Sequence, residues 1–72
     1  MLDDRQTLKD FMESYEGFNF ETGTIVIVKR STARSYIIEK NSPWTTLIEK
    51  YNNSFIWSWN HTENIIVITL DI

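Results

Sequence analysis

One imidazole, ten carboxylates, seven basic side chains and no thiol carry the charge and reactivity of this 72-residue chain. His61 stands alone, which excludes a metal site built on paired histidines. The lack of cysteine excludes a thiolate zinc site, a disulfide framework and a cysteine nucleophile. As a general base, His61 would need a nucleophile or substrate held beside it in a pocket. It lies between Asn60 and Thr62, with Glu63 as its nearest carboxylate in sequence, and reads as an exposed turn histidine. Both glycines are isolated, which rules out a Gly-rich phosphate loop, a dinucleotide turn and a Gly-x-Ser-x-Gly elbow. The carboxylates lack the spacing of an EF-hand loop or of a glycosidase pair. The sequence therefore points away from an enzyme and implies no cofactor and no metal.

Three groups of residues are suited to binding instead. Phe55, Trp57 and Trp59 alternate with Ile56 and Ser58, so the three aromatics share one face of a strand. Turned inward they are core; turned outward they form an aromatic patch of the kind that marks interfaces. The second group is acidic: Asp3, Asp4, Asp10, Glu13, Glu16 and Glu21 crowd the first 21 residues. They form either a solvated helix face or a surface complementary to a basic protein groove. The expected partner contacts are Trp57 and Trp59 for buried area and Asp10, Glu13 and Glu16 for charge. The third group is Lys29, Arg30 and Arg34, close to Tyr36, which can meet phosphate with ring stacking or keep a hairpin soluble. A net charge of -3 argues against general binding to a phosphate backbone. The order of elements and the lack of a Gly- and Phe-rich signature also differ from the RNA-recognition fold. Nucleic-acid contact through the basic hairpin is thus the alternative to protein binding.

These side chains need elements to position them. Leu8, Phe11, Met12 and Tyr15 recur at helical spacing and predict a first helix over about residues 4–16, capped by Asp3 or Asp4 and stopped by Gly17. Phe18 to Gly23 forms a loop whose two aromatics tuck under that helix. Thr24 to Lys29 is β-branched almost throughout and reads as a central strand. After a turn at Arg30 to Arg34, Ser35 to Glu39 returns as its hairpin partner. Ser42 as N-cap and Pro43 in the first turn start a second helix carrying Trp44, Leu47, Ile48 and Tyr51, which Asn52 and Asn53 end. Phe55 to Trp59 and Ile65 to Leu70 complete the strands, with Ile66, Ile68, Leu70 and Ile72 on the inward face and Ile65, Val67, Thr69 and Asp71 on the outward one. The two helices match in pattern at an offset of 36 residues, which any pair of amphipathic helices produces.

The expected fold is α+β: elements ordered α-β-β-α-β-β, with a four-stranded, mainly antiparallel sheet and both helices packed on one face. At 8.6 kDa this is one small domain. The longest apolar runs are strand-length, far below the roughly 20 residues of a membrane-spanning helix, and acids stand where a signal peptide needs bases. A cytoplasmic location without membrane contact is therefore expected. In size, acidity and lack of catalytic motifs the chain is similar to small proteins of phages and mobile elements that inhibit host nucleases or defence complexes, anti-CRISPR proteins among them. That similarity is one of overall character and carries no residues with it. The expected function is a small acidic module that binds another protein, as an inhibitor that occludes a basic or aromatic-accepting surface. A homo-oligomer that buries its open sheet face is the remaining alternative.

Overall fold

The computed structural model describes residues 6–30 and 34–72. Its elements are α1 (Leu8–Ser14), β1 (Thr24–Lys29), β2 (Tyr36–Lys40), α2 (Trp44–Tyr51), β3 (Ile56–His61) and β4 (Ile65–Leu70). This is the α+β order expected. The sheet runs β2-β1-β4-β3, with β1 and β4 parallel at its centre and an antiparallel strand at each edge. Each half of the chain thus supplies one central and one edge strand, but from opposite positions in the α-β-β order. The helix match at half-length is not continued by equivalent strand positions in the sheet.

α1 begins later than the acids at positions 3 and 4 suggest, and those two residues lie outside the described part. Thr7 is the N-cap, its hydroxyl oxygen accepting the Asp10 N–H at 3.2 Å. Asp10 itself sits in the first turn, where a carboxylate meets the positive end of the helix. The helix ends at Ser14, before the expected residue 16, because Tyr15 adopts an extended backbone (φ -80°, ψ 120°). Gly17 is not a left-handed stop, and no described glycine has positive φ. Gly17 matters for a different reason: the Tyr15 ring lies so close that an added Cβ would force it to shift. At α2 the cap is shifted by one residue from expectation. Pro43 occupies the cap position (φ -60°, ψ 144°), and the Ser42 hydroxyl donates to Glu39 at 3.0 Å. Asn52 is right-handed; the left-handed asparagine is Asn41 (φ 65°), at the turn out of β2.

One core joins these elements. Leu8, Phe11 and Met12 of α1 and Leu47 of α2 meet Ile25 and Ile27 of β1, Ile56 of β3, and Ile66, Ile68 and Leu70 of β4. Phe18 and Phe20 close it from the loop, as expected. Both helices cover the same face, since the strand residues in this cluster all share one side of the pleat. The opposite face carries Thr24, Val26 and Val28 of β1, Ile37 of β2 and Ile65, Val67 and Thr69 of β4, and no helix among the described residues lies over it. No helix among the described residues is long and apolar enough to cross a membrane.

Candidate functional site

The aromatic strand does not keep its alternation. β3 pairs with β4 through Ile56↔Leu70, Ser58↔Thr69 and Trp59↔Ile68, so one extra residue is inserted between Ile56 and Ser58. This bulge corrects the expectation that Phe55, Trp57 and Trp59 share a face. Opposite Ile68, Trp59 stands on the helical side, 5.2 Å from the Phe11 ring and 4.8 Å from that of Tyr15. Trp57 is carried to Arg30 instead, whose guanidinium lies 3.6 Å from its ring centre. The two tryptophans remain 52% and 42% exposed, yet they belong to different surfaces.

His61 is not a free turn residue but the last position of β3, half-buried in an aromatic cluster. Its ring stacks on Trp59 and meets Phe18 and Tyr15 edge-on. Nδ1 lies 2.7 Å from the carbonyl oxygen of Thr62, which can only accept, so Nδ1 carries the proton. In the neutral ring Nε2 then accepts the Tyr15 hydroxyl, also at 2.7 Å. Both nitrogens are occupied, and the role of this imidazole is to join β3 to the segment after α1. Sequence reading missed it because Tyr15 and His61 are 46 residues apart, and only the bulge aligns them.

The acids behave as a surface. Asp10, Glu13 and Glu16 are all exposed, as is Glu21. Between Gln6 and Thr24 four carboxylates stand against the single cation of Lys9, a surplus equal to the net charge of the whole chain. Glu16 and Glu21 border a cleft of about 540 Å³ whose other walls include Met12, Tyr15, Phe18, Phe20 and Trp44. A second concavity of about 480 Å³ shares Phe20, Glu21 and Trp44 and continues to Asn41 and Pro43. The loop at the rim is fixed by Asn19, whose Oδ1 accepts the N–H groups of Glu21 (3.0 Å) and Thr22 (3.3 Å). The Asn19 carbonyl accepts the Gly23 N–H at 2.9 Å.

The basic residues are more committed than the sequence suggests. Arg30 covers Trp57 and pairs with Asp71 at 3.2 Å. Lys29 is half-buried and lies 6.0 Å from the Tyr36 ring, while Arg34 is exposed. The rest of the hairpin turn, residues 31–33, is outside the described part.

Glu39 of β2 accepts three side-chain hydrogen bonds. Lys50 donates to it at 2.6 Å, Tyr51 at 2.9 Å and Ser42 at 3.0 Å. These donors, Lys50 first, hold its carboxyl below the usual glutamate value, and Glu39 in turn raises Lys50. Tyr51 is raised too, mainly by burial and then by its bond to the carboxylate. The cluster joins α2 to the sheet and is structural. Among the described residues no group of three or more His, Cys, Asp or Glu side chains is placed to hold a metal ion. The chain matches no known family model, and no curated protein or solved structure is significantly similar to it.

Proposed function

We propose that the chain is a small, non-catalytic module that binds another protein, docking the side formed by α1 and the 15–23 loop onto a basic surface of its partner. The distribution of charge supports this reading: the chain's excess of acid is concentrated on one exposed segment, beside the half-open rings of Tyr15, Trp44 and Trp59. An acidic patch of this kind speeds encounter with a basic partner and fixes its orientation. The neighbouring aromatics supply the contact area that charge alone lacks. Binding of this form inhibits the partner wherever the covered surface is the partner's own nucleic-acid or substrate groove.

The test is an association rate. The partner is captured from nuclease-treated lysate, and its binding is compared for the natural chain and a variant carrying Asp10→Asn, Glu13→Lys and Glu16→Lys. At low salt the variant, still folded, associates more slowly by about tenfold or more. An unchanged on-rate removes this surface from the function. Partners that vanish after nuclease treatment favour the basic hairpin.

A second reading, association with another copy of the chain, is favoured by the sheet face opposite the helices, over which no described helix lies. Ile37, Ile65 and Val67 are 38% to 58% exposed there. Among the described residues the register places Lys40 on this face, opposite Val26, and the Arg30–Asp71 pair follows the ends of the two central strands.

A further inference from the structure

We infer that the cleft between the 15–23 loop and the start of α2 receives an arginine side chain from a basic segment of the partner. The inference deepens the docking surface proposed above and rests on it. The volume of about 540 Å³ admits a guanidinium with its stem and adjoining backbone. Phe18 and Phe20 are buried and form the floor, whereas Tyr15 and Trp44 are half-open walls. Glu16 and Glu21 stand at the rim, and neither has an ion-pair partner among the described residues. None of the described residues lining either concavity carries a positive charge.

The chemistry of the cleft selects its guest. An anion would face two carboxylates, and a neutral apolar group would desolvate them without return. A divalent metal would find only two carboxylates at the rim, and among the described residues no group of three or more His, Cys, Asp or Glu side chains is placed to hold one. A cation satisfies both features, lying over ring faces while pairing with carboxylate oxygens. Guanidinium does so better than ammonium, because its planar fork pairs with a carboxylate through two bonds and stacks on an aromatic ring. The rim is also set in advance. The Asn19 bonds hold the turn that presents Glu21, and Gly23 lets Phe18 lie against the backbone, where a Cβ would meet the ring and the Asn19 carbonyl. The loop backbone therefore needs no reordering on binding, and the ordering cost falls on the Glu16 and Glu21 side chains and the guest.

The experiment follows the Trp44 indole N–H resonance of the full chain during titration with a short glycine–arginine peptide. Two counterparts carry lysine and citrulline, the latter keeping the shape of arginine without its charge. The arginine peptide is expected to shift the Trp44 signal saturably, the lysine peptide more weakly, and the citrulline peptide not at all. Glu21→Gln and Glu16→Gln each weaken the arginine affinity by about fivefold. Glu49→Gln, on the exposed part of α2 and outside the cleft lining, leaves it unchanged. Equal binding of the citrulline peptide overturns the inference, as does a response confined to Trp57 or Trp59. Failure to shift Trp44 with any arginine peptide also overturns it while leaving the docking surface standing, because that surface is judged by the association rate of the Asp10, Glu13 and Glu16 variant. If that rate is unchanged while Trp44 still responds to arginine, the broader reading falls and the cleft remains a cation site.

Discussion

Trp57 and Trp59 are two positions apart and differ in what holds them. The Trp59 ring lies against Phe11, Tyr15 and His61, so removing it strips contacts from α1 and from the Tyr15–His61 bond together. Trp57 is in contact with one guanidinium at the surface. Trp59→Ala should therefore lower stability by about 2 kcal/mol, short of a fully buried ring because this one is half-open. Trp57→Ala should lower it by about 0.5–1 kcal/mol, the size of a surface cation–π contact. Urea denaturation of both variants near neutral pH checks the order. A larger loss at position 57 would mean that the bulge does not divide the two rings as described. Tyr15→Phe provides a control on the hydrogen bond alone, about 1 kcal/mol with the ring contacts kept.

Between elements, Glu39 is what connects the edge strand β2 to α2, and it makes the junction sensitive to pH. Its pKa is depressed in the folded chain, by Lys50 first and by Tyr51 and Ser42 after it. The folded state therefore binds this proton less readily than the unfolded one, so the stabilisation is present above the ordinary value of 4.5 and is lost as pH falls through the lower folded value. Lys50 is raised above 10.5, so its share is present below that value and is lost as pH climbs past the folded one. The natural chain should exceed Glu39→Gln in stability across the interval between these two limits, and the gap should close on acidification below it. A gap that stays constant from neutral pH to pH 3 would detach Glu39 from the acid response. Neither the cluster nor the bulge could be read from the sequence, because Glu39 and Lys50 meet only after the chain turns at Asn41 and Pro43. The elements themselves were legible. Thr24–Lys29 and Ile65–Leu70 are β-branched and apolar enough to name themselves, and Ile66, Ile68 and Leu70 face inward as their alternation requires. Helix ends were less legible: the cap of α1 went to Thr7, and Tyr15 left the helix to meet His61. An alternation rule also assumes one residue per partner, so the inserted position in β3 defeated it where a candidate contact lay.

For the molecule as a whole, the two sides of the sheet offer partners opposite kinds of surface. The helical side is acidic and concave; on the opposite side the described residues put Ile37, Ile65 and Val67 across the strands, with Lys40 among them. Val26, on that same side, is already shielded at the centre of the sheet, so a partner there would cover a rim of aliphatic groups around a tight middle. A second copy is the occupant that such a face accepts without new charge, and its arrangement would bring the same strands together around a two-fold axis. The consequence is measurable in the isolated protein. Light scattering should give a mass that rises from 8.6 kDa towards twice that value with concentration. Val67→Lys, which places a cation in the middle of the face at a position already 38% exposed, should return the mass to that of one chain. Because Val67 lies across the sheet from α1, this substitution should also leave the arginine response of Trp44 intact. A natural chain that stays at 8.6 kDa at every concentration removes the second copy, and a Val67→Lys variant that still doubles places the contact on another surface. If self-association and arginine binding respond independently to Val67→Lys and Glu21→Gln, the two faces act separately, and the acidic side stays open to a partner whether the protein is single or paired.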